Sequence, residues 1–145
     1  MKYLIAFSFS LVSLFSYSQK GIVPVDWSFE VVEGDDDYIL RATADLEENW
    51  AIYSQHTGEG GPIALSFTFE DPSILIGGAE EKTKAIKEMS ELFEVEVIKF
   101  KKQAIFEQKF TKKKGMKTIS GGVRFMCCDA SRCLPPTDVQ FDIEL

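Results

Sequence analysis

Apolar residues recur at every second position through much of this chain. Ile63, Leu65, Phe67 and Phe69 alternate with Ala64, Ser66, Thr68 and Glu70. Val25, Trp27, Phe29 and Val31 do the same against Asp26, Ser28 and Glu30, as do Val139, Phe141, Ile143 and Leu145 against Gln140, Asp142 and Glu144. Successive side chains on a strand point to opposite faces, so this period lays one apolar face on a core and one polar face on water. Residues 38–46, 50–54, 95–100, 104–110 and 118–126 read as further strands. Turn signals at 33–37, 47–49, Asp71-Pro72 and Lys114-Gly115 separate them. About seven to nine short strands at this spacing predict an all-β chain folded as a two-sheet sandwich.

Two stretches depart from simple alternation. Gly121 and Gly122 fall inside a strand, where paired glycines signal a bulge or a close backbone approach. Ala85, Ile86, Met89, Leu92 and Phe93 fall at helical spacing, which predicts a short amphipathic helix.

The N-terminus reads as an export signal. Met1-Lys2 supplies the positive start, residues 3–15 are apolar apart from serines, and Ser16-Tyr17-Ser18 places small residues at a cleavage site before Gln19. The run is shorter than the roughly 20 residues of a spanning helix. The expectation is a signal peptide at 1–18 and one domain at 19–145, periplasmic, with no stable membrane insertion after cleavage. Export favours persistent disulfides. The formal net charge of −7 argues against nucleic acid and anionic lipid, which select basic surfaces. The lysines near 99–102 and 112–114 read as solvated surface.

All three cysteines lie in Cys127-Cys128-Asp129-Ala130-Ser131-Arg132-Cys133, followed by Leu134-Pro135-Pro136. Cys127 and Cys133 flank a polar loop and can come within disulfide reach; Cys128 with Cys133 is the competing pair. Cys127 shares the parity of Val123 and Phe125 and points inward if the alternation persists, whereas Cys128 shares that of Arg124 and Met126. A bond closing so short a loop adds less than the roughly 3 kcal/mol expected for a 15-residue loop, which favours chemistry over a staple. Arg132 favours a thiolate at Cys133, while Asp129 and Asp138 oppose it. Zinc is poorly served, because no Cys-x-x-Cys pair exists and the single histidine, His56, is remote. Cu(I) is less demanding, with Met116 and Met126 as soft ligands, so a copper-handling protein stands as one alternative. A binding or assembly module with a structural disulfide is another. The acidic turn at 33–37 lacks the ligand spacing of a calcium loop.

The run from Cys127 to Pro136 resembles the active-site loop of the N-terminal periplasmic domain of the thiol:disulfide interchange protein DsbD. Trp50-Ala51-Ile52-Tyr53-Ser54-Gln55-His56-Thr57 and Gly60-Gly61-Pro62-Ile63 resemble a second recurrent block of such domains. The resemblance implies an immunoglobulin-like β-sandwich that relays reducing equivalents between thioredoxin-like proteins, disulfide isomerases or other thiol proteins, without cofactor or metal. It implies Cys127 and Cys133 as the redox pair, Cys133 meeting partners, with Cys128 a spare thiol. It also implies a cap loop at Glu91-Leu92-Phe93, in conflict with the helical spacing there. Leu92 or Phe93 would shield the sulfurs, and Tyr53 would help line the site.

Overall fold

The computed structural model describes residues 23–34 and 36–145; the expected signal peptide lies outside them. The strands are β1 (Val25–Glu33), β2 (Tyr38–Leu46), β3 (Ala51–Tyr53), β4 (Ser66–Phe69), β5 (Leu75–Glu81), β6 (Ile86–Met89), β7 (Glu96–Lys101), β8 (Gln103–Phe110), β9 (Thr118–Phe125), β10 (Cys127–Cys128) and β11 (Thr137–Glu144). One 3-10 turn, Pro72–Ile74, follows the Asp71-Pro72 break, with the Asp71 carboxylate accepting from the Ser73 N–H. Among the described residues no helix is long and apolar enough to cross a membrane.

The strands pair antiparallel in three ladders, ordered β1-β2-β8-β5, β10-β3-β7-β6 and β11-β9-β4. β9 runs through Met126 into β10, so one extended segment ties the second ladder to the third. Together these two cover the first. Ala42, Ala44, Ala104 and Phe106 of the first ladder pack against Ile52, Phe100 and Cys127 of the second and against Val123 and Phe125 of the third. A second cluster joins Leu40 and Phe110 to Ile119 and Phe141. The result is the two-sheet sandwich expected from the alternation, in the immunoglobulin-like form that the resemblance implied.

Trp27 sits at the centre of the aromatic packing, with ring centroids 5.4 Å from Phe125, 6.0 Å from Phe106 and 6.0 Å from Phe29. Such rings bury large areas in preferred offset and edge arrangements. Its alternation partners Asp26, Ser28 and Glu30 are exposed, as the period requires.

Gly121 is required by a close approach. A Cβ there would collide with the Thr68 carbonyl oxygen and lie 2.8 Å from the Phe141 ring. The register of β9 with β11 is unbroken, so the glycine pair marks a close approach and not a bulge.

The main departure lies at 75–94. The helical spacing of Ala85, Ile86, Met89, Leu92 and Phe93 does not produce a helix: Ile86–Met89 is an edge strand paired with β7, and 90–95 is the hairpin turn between them. All four residues of β6 are exposed, so no apolar face selected a helix over a strand. The turn has its own closures: Ser90 N–H donates to the Val95 carbonyl at 2.9 Å, Glu94 N–H to the Ser90 carbonyl at 2.8 Å, and Phe93 N–H to Ser90 Oγ at 3.3 Å. β5, also unforeseen, carries a register shift between Ile76 and Glu80. The buried Gln108 amide spans it, donating to the Ile76 and Gly77 carbonyls.

Candidate functional site: a loop disulfide on the outer face of a sheet

β10 lies beside β3, with Cys127 opposite Ile52 and Cys128 opposite Ala51. β3 in turn sets Ile52 opposite Phe100, and Ala51 opposite Lys101. Directly opposed residues share a face. Cys127, Ile52 and Phe100 therefore form one row on the inner face, and all three are buried in the sandwich core. Cys128, Ala51 and Lys101 form a row on the outer face, continued by Tyr53 and Lys99 two residues along.

The disulfide joins Cys128 to Cys133, with Cα atoms 4.0 Å apart, and leaves Cys127 as a free, buried thiol. This corrects the Cys127–Cys133 pairing. The inward parity expected for Cys127 is present, but it turns that sulfur into the inter-sheet core, beside Phe125 and Ile52. The loop returns on the outer face. Cys133 forms an isolated antiparallel bridge with Cys128, Leu134 N–H donates to the Cys127 carbonyl at 2.9 Å, and Asp129 N–H donates to the Arg132 carbonyl at 2.9 Å. One residue of register decides which sulfur meets Cys133. Burial in apolar surroundings holds the Cys127 thiol above its ordinary pKa, so it stays protonated.

Asp129 organises the loop. Its Oδ1 accepts from the Ser131 N–H at 2.8 Å, the Arg132 N–H at 2.8 Å and the Ser131 hydroxyl at 3.0 Å. Those backbone donors hold the carboxyl below its usual range. Arg132 lies over the Trp50 ring, 5.6 Å from its centroid, and 3.8 Å from Asp129 Oδ2. Asp138 is drawn away by Arg124, 3.4 Å distant.

The cap expected at Glu91-Leu92-Phe93 is the tip of the β6–β7 hairpin. Phe93 and Val95 pack against a cluster of Tyr53, Val97 and Cys128, which Cys133 also joins. Leu92 is on the rim and exposed. The structure thus brings Tyr53, Phe93, Cys128 and Cys133 together, leaves Leu92 at the edge, and places Cys127 on the other side of the sheet. Within the pair, Cys128 is 2% exposed and Cys133 is the more exposed residue.

The alternation alone did not reveal what holds the cap. The loop after β3 takes over where β3 ends: Ser54 N–H donates to the Ile98 carbonyl and Ile98 N–H to Thr57 Oγ1. The Glu81 carboxylate accepts from the Ser54 hydroxyl at 2.8 Å and the Gln55 N–H at 2.8 Å. Gly61 then lies against the hairpin, where a Cβ would come 3.1 Å from Val95 and 3.7 Å from Phe93. The glycines of 58–61 were the available signal; what they approach was not readable. His56 is exposed on this loop.

A groove of about 450 Å³ runs beside the disulfide, between the cysteine loop and the hairpin. Tyr53, Glu88, Leu92, Lys99, Lys101 and Cys128 are among its walls. Lys99 and Glu88 form an ion pair along its hairpin wall, and Lys99 holds the Glu88 carboxyl below its usual pKa. Burial, and then the Glu88 charge, raise the Tyr53 phenol. Lys99 and Lys101, read from sequence as solvated surface, are walls of this groove.

Fold and site together define a β-sandwich with a half-covered disulfide in an end loop. Solved structures resemble this chain in fold. One is the N-terminal domain of Neisseria meningitidis DsbD in the reduced form, with 18% identity and a TM-score of 0.58, covering 81% of this chain and 84% of that one. Another is the N-terminal periplasmic domain of ScsB from Proteus mirabilis, with 15% identity and a TM-score of 0.64. It covers 83% of this chain, which spans 46% of the ScsB domain. A third is the complex between the DsbD N-terminal and PilB N-terminal domains of N. meningitidis, with 17% identity, a TM-score of 0.55 and 80% of each chain covered. No protein-family profile matches the chain, and no curated protein sequence matches it. The shared property is the fold of DsbD N-terminal domains.

Proposed function

We propose that this chain is a periplasmic thiol–disulfide exchange protein that passes reducing equivalents through Cys128 and Cys133. The observation that carries this reading is the asymmetry of the bond: Cys133 is partly open while Cys128 is buried beneath the Phe93 hairpin. A staple has no need of one open sulfur, whereas exchange requires a thiolate to reach one end of the bond. The fold shared with DsbD N-terminal domains supports it, as does the existence of a DsbD–PilB domain complex.

The electron donor is a dithiol of a thioredoxin-like protein. Its thiolate bonds to Cys133 Sγ; the Cys128–Cys133 bond breaks and its electron pair goes to Cys128 Sγ. The donor's second thiolate then attacks the mixed disulfide and releases Cys133, leaving the donor oxidised and this chain a dithiol. Passing electrons to a disulfide isomerase or other client reverses these steps, with Cys133 attacking and Cys128 resolving. Cys127 takes no part in the bond. Phe93 and Tyr53 shield the sulfurs between encounters.

Measuring the reduction potential of the Cys128–Cys133 bond, and its reduction by a thioredoxin-like protein, tests this. An exchanging bond lies well above about −300 mV and is reduced within minutes; a value below that, with no reduction, makes the bond structural.

A further inference from the structure

We infer that Lys101 is a charge-bearing residue of the exchange site, holding the Cys128 sulfur as a thiolate when the disulfide opens. This rests on the exchange reading and adds a residue to it. Cys128 is opposite Ala51, and Ala51 is opposite Lys101. Two strand spacings separate the Cys128 and Lys101 backbones by roughly 10 Å. Only the Ala51 methyl stands between them on that face. A lysine stem laid over a methyl carries its ammonium toward the sulfur while keeping it in contact with water. Both residues border the same groove.

The surrounding charges leave Lys101 for this role. Lys99, on the same face, is bound to Glu88. Glu88 also feels the Lys101 charge, but among the described residues Lys101 makes no ion pair of its own. Asp129 is held by the loop N–H groups and lies beside Arg132, whose guanidinium is over Trp50. Glu91 is exposed on the hairpin. Tyr53 keeps its proton. Cys128 is the sulfur that must accept the electron pair when Cys133 is attacked. An ammonium nearby stabilises that thiolate and makes it the better leaving group.

The test uses the full chain reduced with dithiothreitol, so it needs no partner protein. The rate of iodoacetamide alkylation at Cys128 is followed against pH, with mass mapping to assign the cysteine. Lys101→Gln should move the midpoint of the profile upward and slow alkylation at pH 7 by roughly 3- to 10-fold, a tenfold change being one pKa unit. Lys101→Arg should restore most of the rate. Lys87→Gln removes the same charge from the opposite face, where Lys87 pairs with Glu96 at 3.0 Å, and should leave the profile in place. A Lys101→Gln profile that superimposes on the wild type overturns the inference, as does an equal shift in Lys87→Gln. If a thioredoxin-like protein fails to reduce the oxidised chain while the Lys101 shift is present, the exchange role fails and only the coupling of the Lys101 charge to the Cys128 thiolate stands.

Discussion

Cys127 and Cys128 are neighbours in the chain and lie on opposite faces of one sheet. Cys127 enters the inter-sheet core beside Ile52 and Phe125, and Cys128 meets Cys133 under the Phe93 hairpin. Both are buried, so what separates them is the face: Cys127 is a free thiol in the core and Cys128 is one end of the disulfide.

Replacing the cysteines one at a time separates those roles. Cys127→Ala keeps the loop disulfide and loses about 1 kcal/mol of stability, the scale of one small buried apolar group. Cys128→Ser and Cys133→Ser each abolish the native bond. Non-reducing peptide mapping with denaturant unfolding reads both effects. A Cys127→Ala protein with no disulfide would return the pair to Cys127 and Cys133.

The hairpin cap gives a kinetic prediction. Phe93 packs on the cluster holding Cys128, while Leu92 is 43% exposed. Phe93→Ala speeds reduction by dithiothreitol several-fold, and Leu92→Ala changes it little. Stopped-flow reduction of the oxidised protein distinguishes them; equal rates for Phe93→Ala and wild type would remove the aromatic shield from the account.

Asp129 makes the loop sensitive to acid. Its folded pKa is depressed, so its contribution is present above the ordinary carboxylate range of about 4 and is lost as pH falls through the folded value. A phosphine reductant, active in acid, should open the disulfide faster below about pH 4 in the wild type. Asp129→Ala should be fast at every pH. Asp129→Asn retains an accepting oxygen and should fall between them.

Cys127 produces the opposite dependence. Burial raises its folded pKa above the unfolded value of about 8.5, so its contribution is complete below that pH and is lost as pH rises through the folded value. In the oxidised protein it is the one remaining thiol of three cysteines. Chemical denaturation between pH 8 and pH 11 should show a falling alkaline limb that Cys127→Ala flattens. An unchanged limb would mean the thiol does not sit in an apolar environment.

The alternation of Trp27, Phe67, Val123 and Phe141 with polar neighbours determined the all-β class, because a half-buried strand must segregate its faces at period two. It also determined that Cys127 points inward, since Val123 and Phe125 set that parity. The loop composition marked the sulfur site, and the glycines at 121–122 marked a bulge or a close approach, between which the unbroken register of β9 with β11 decided. β5 and β6 were not legible: β6 is exposed at all four positions, so its sequence carries no burial pattern. The disulfide partner was not legible either. Cys127 and Cys128 differ by one residue along the chain, and both can reach Cys133 in an unfolded loop. Parity put Cys127 on the core face, but only the ladder between β10 and β3, with the bridge from Cys128 to Cys133, places the returning loop on the other face. That assignment is a long-range register, and local sequence does not specify register until the partner strand is in place.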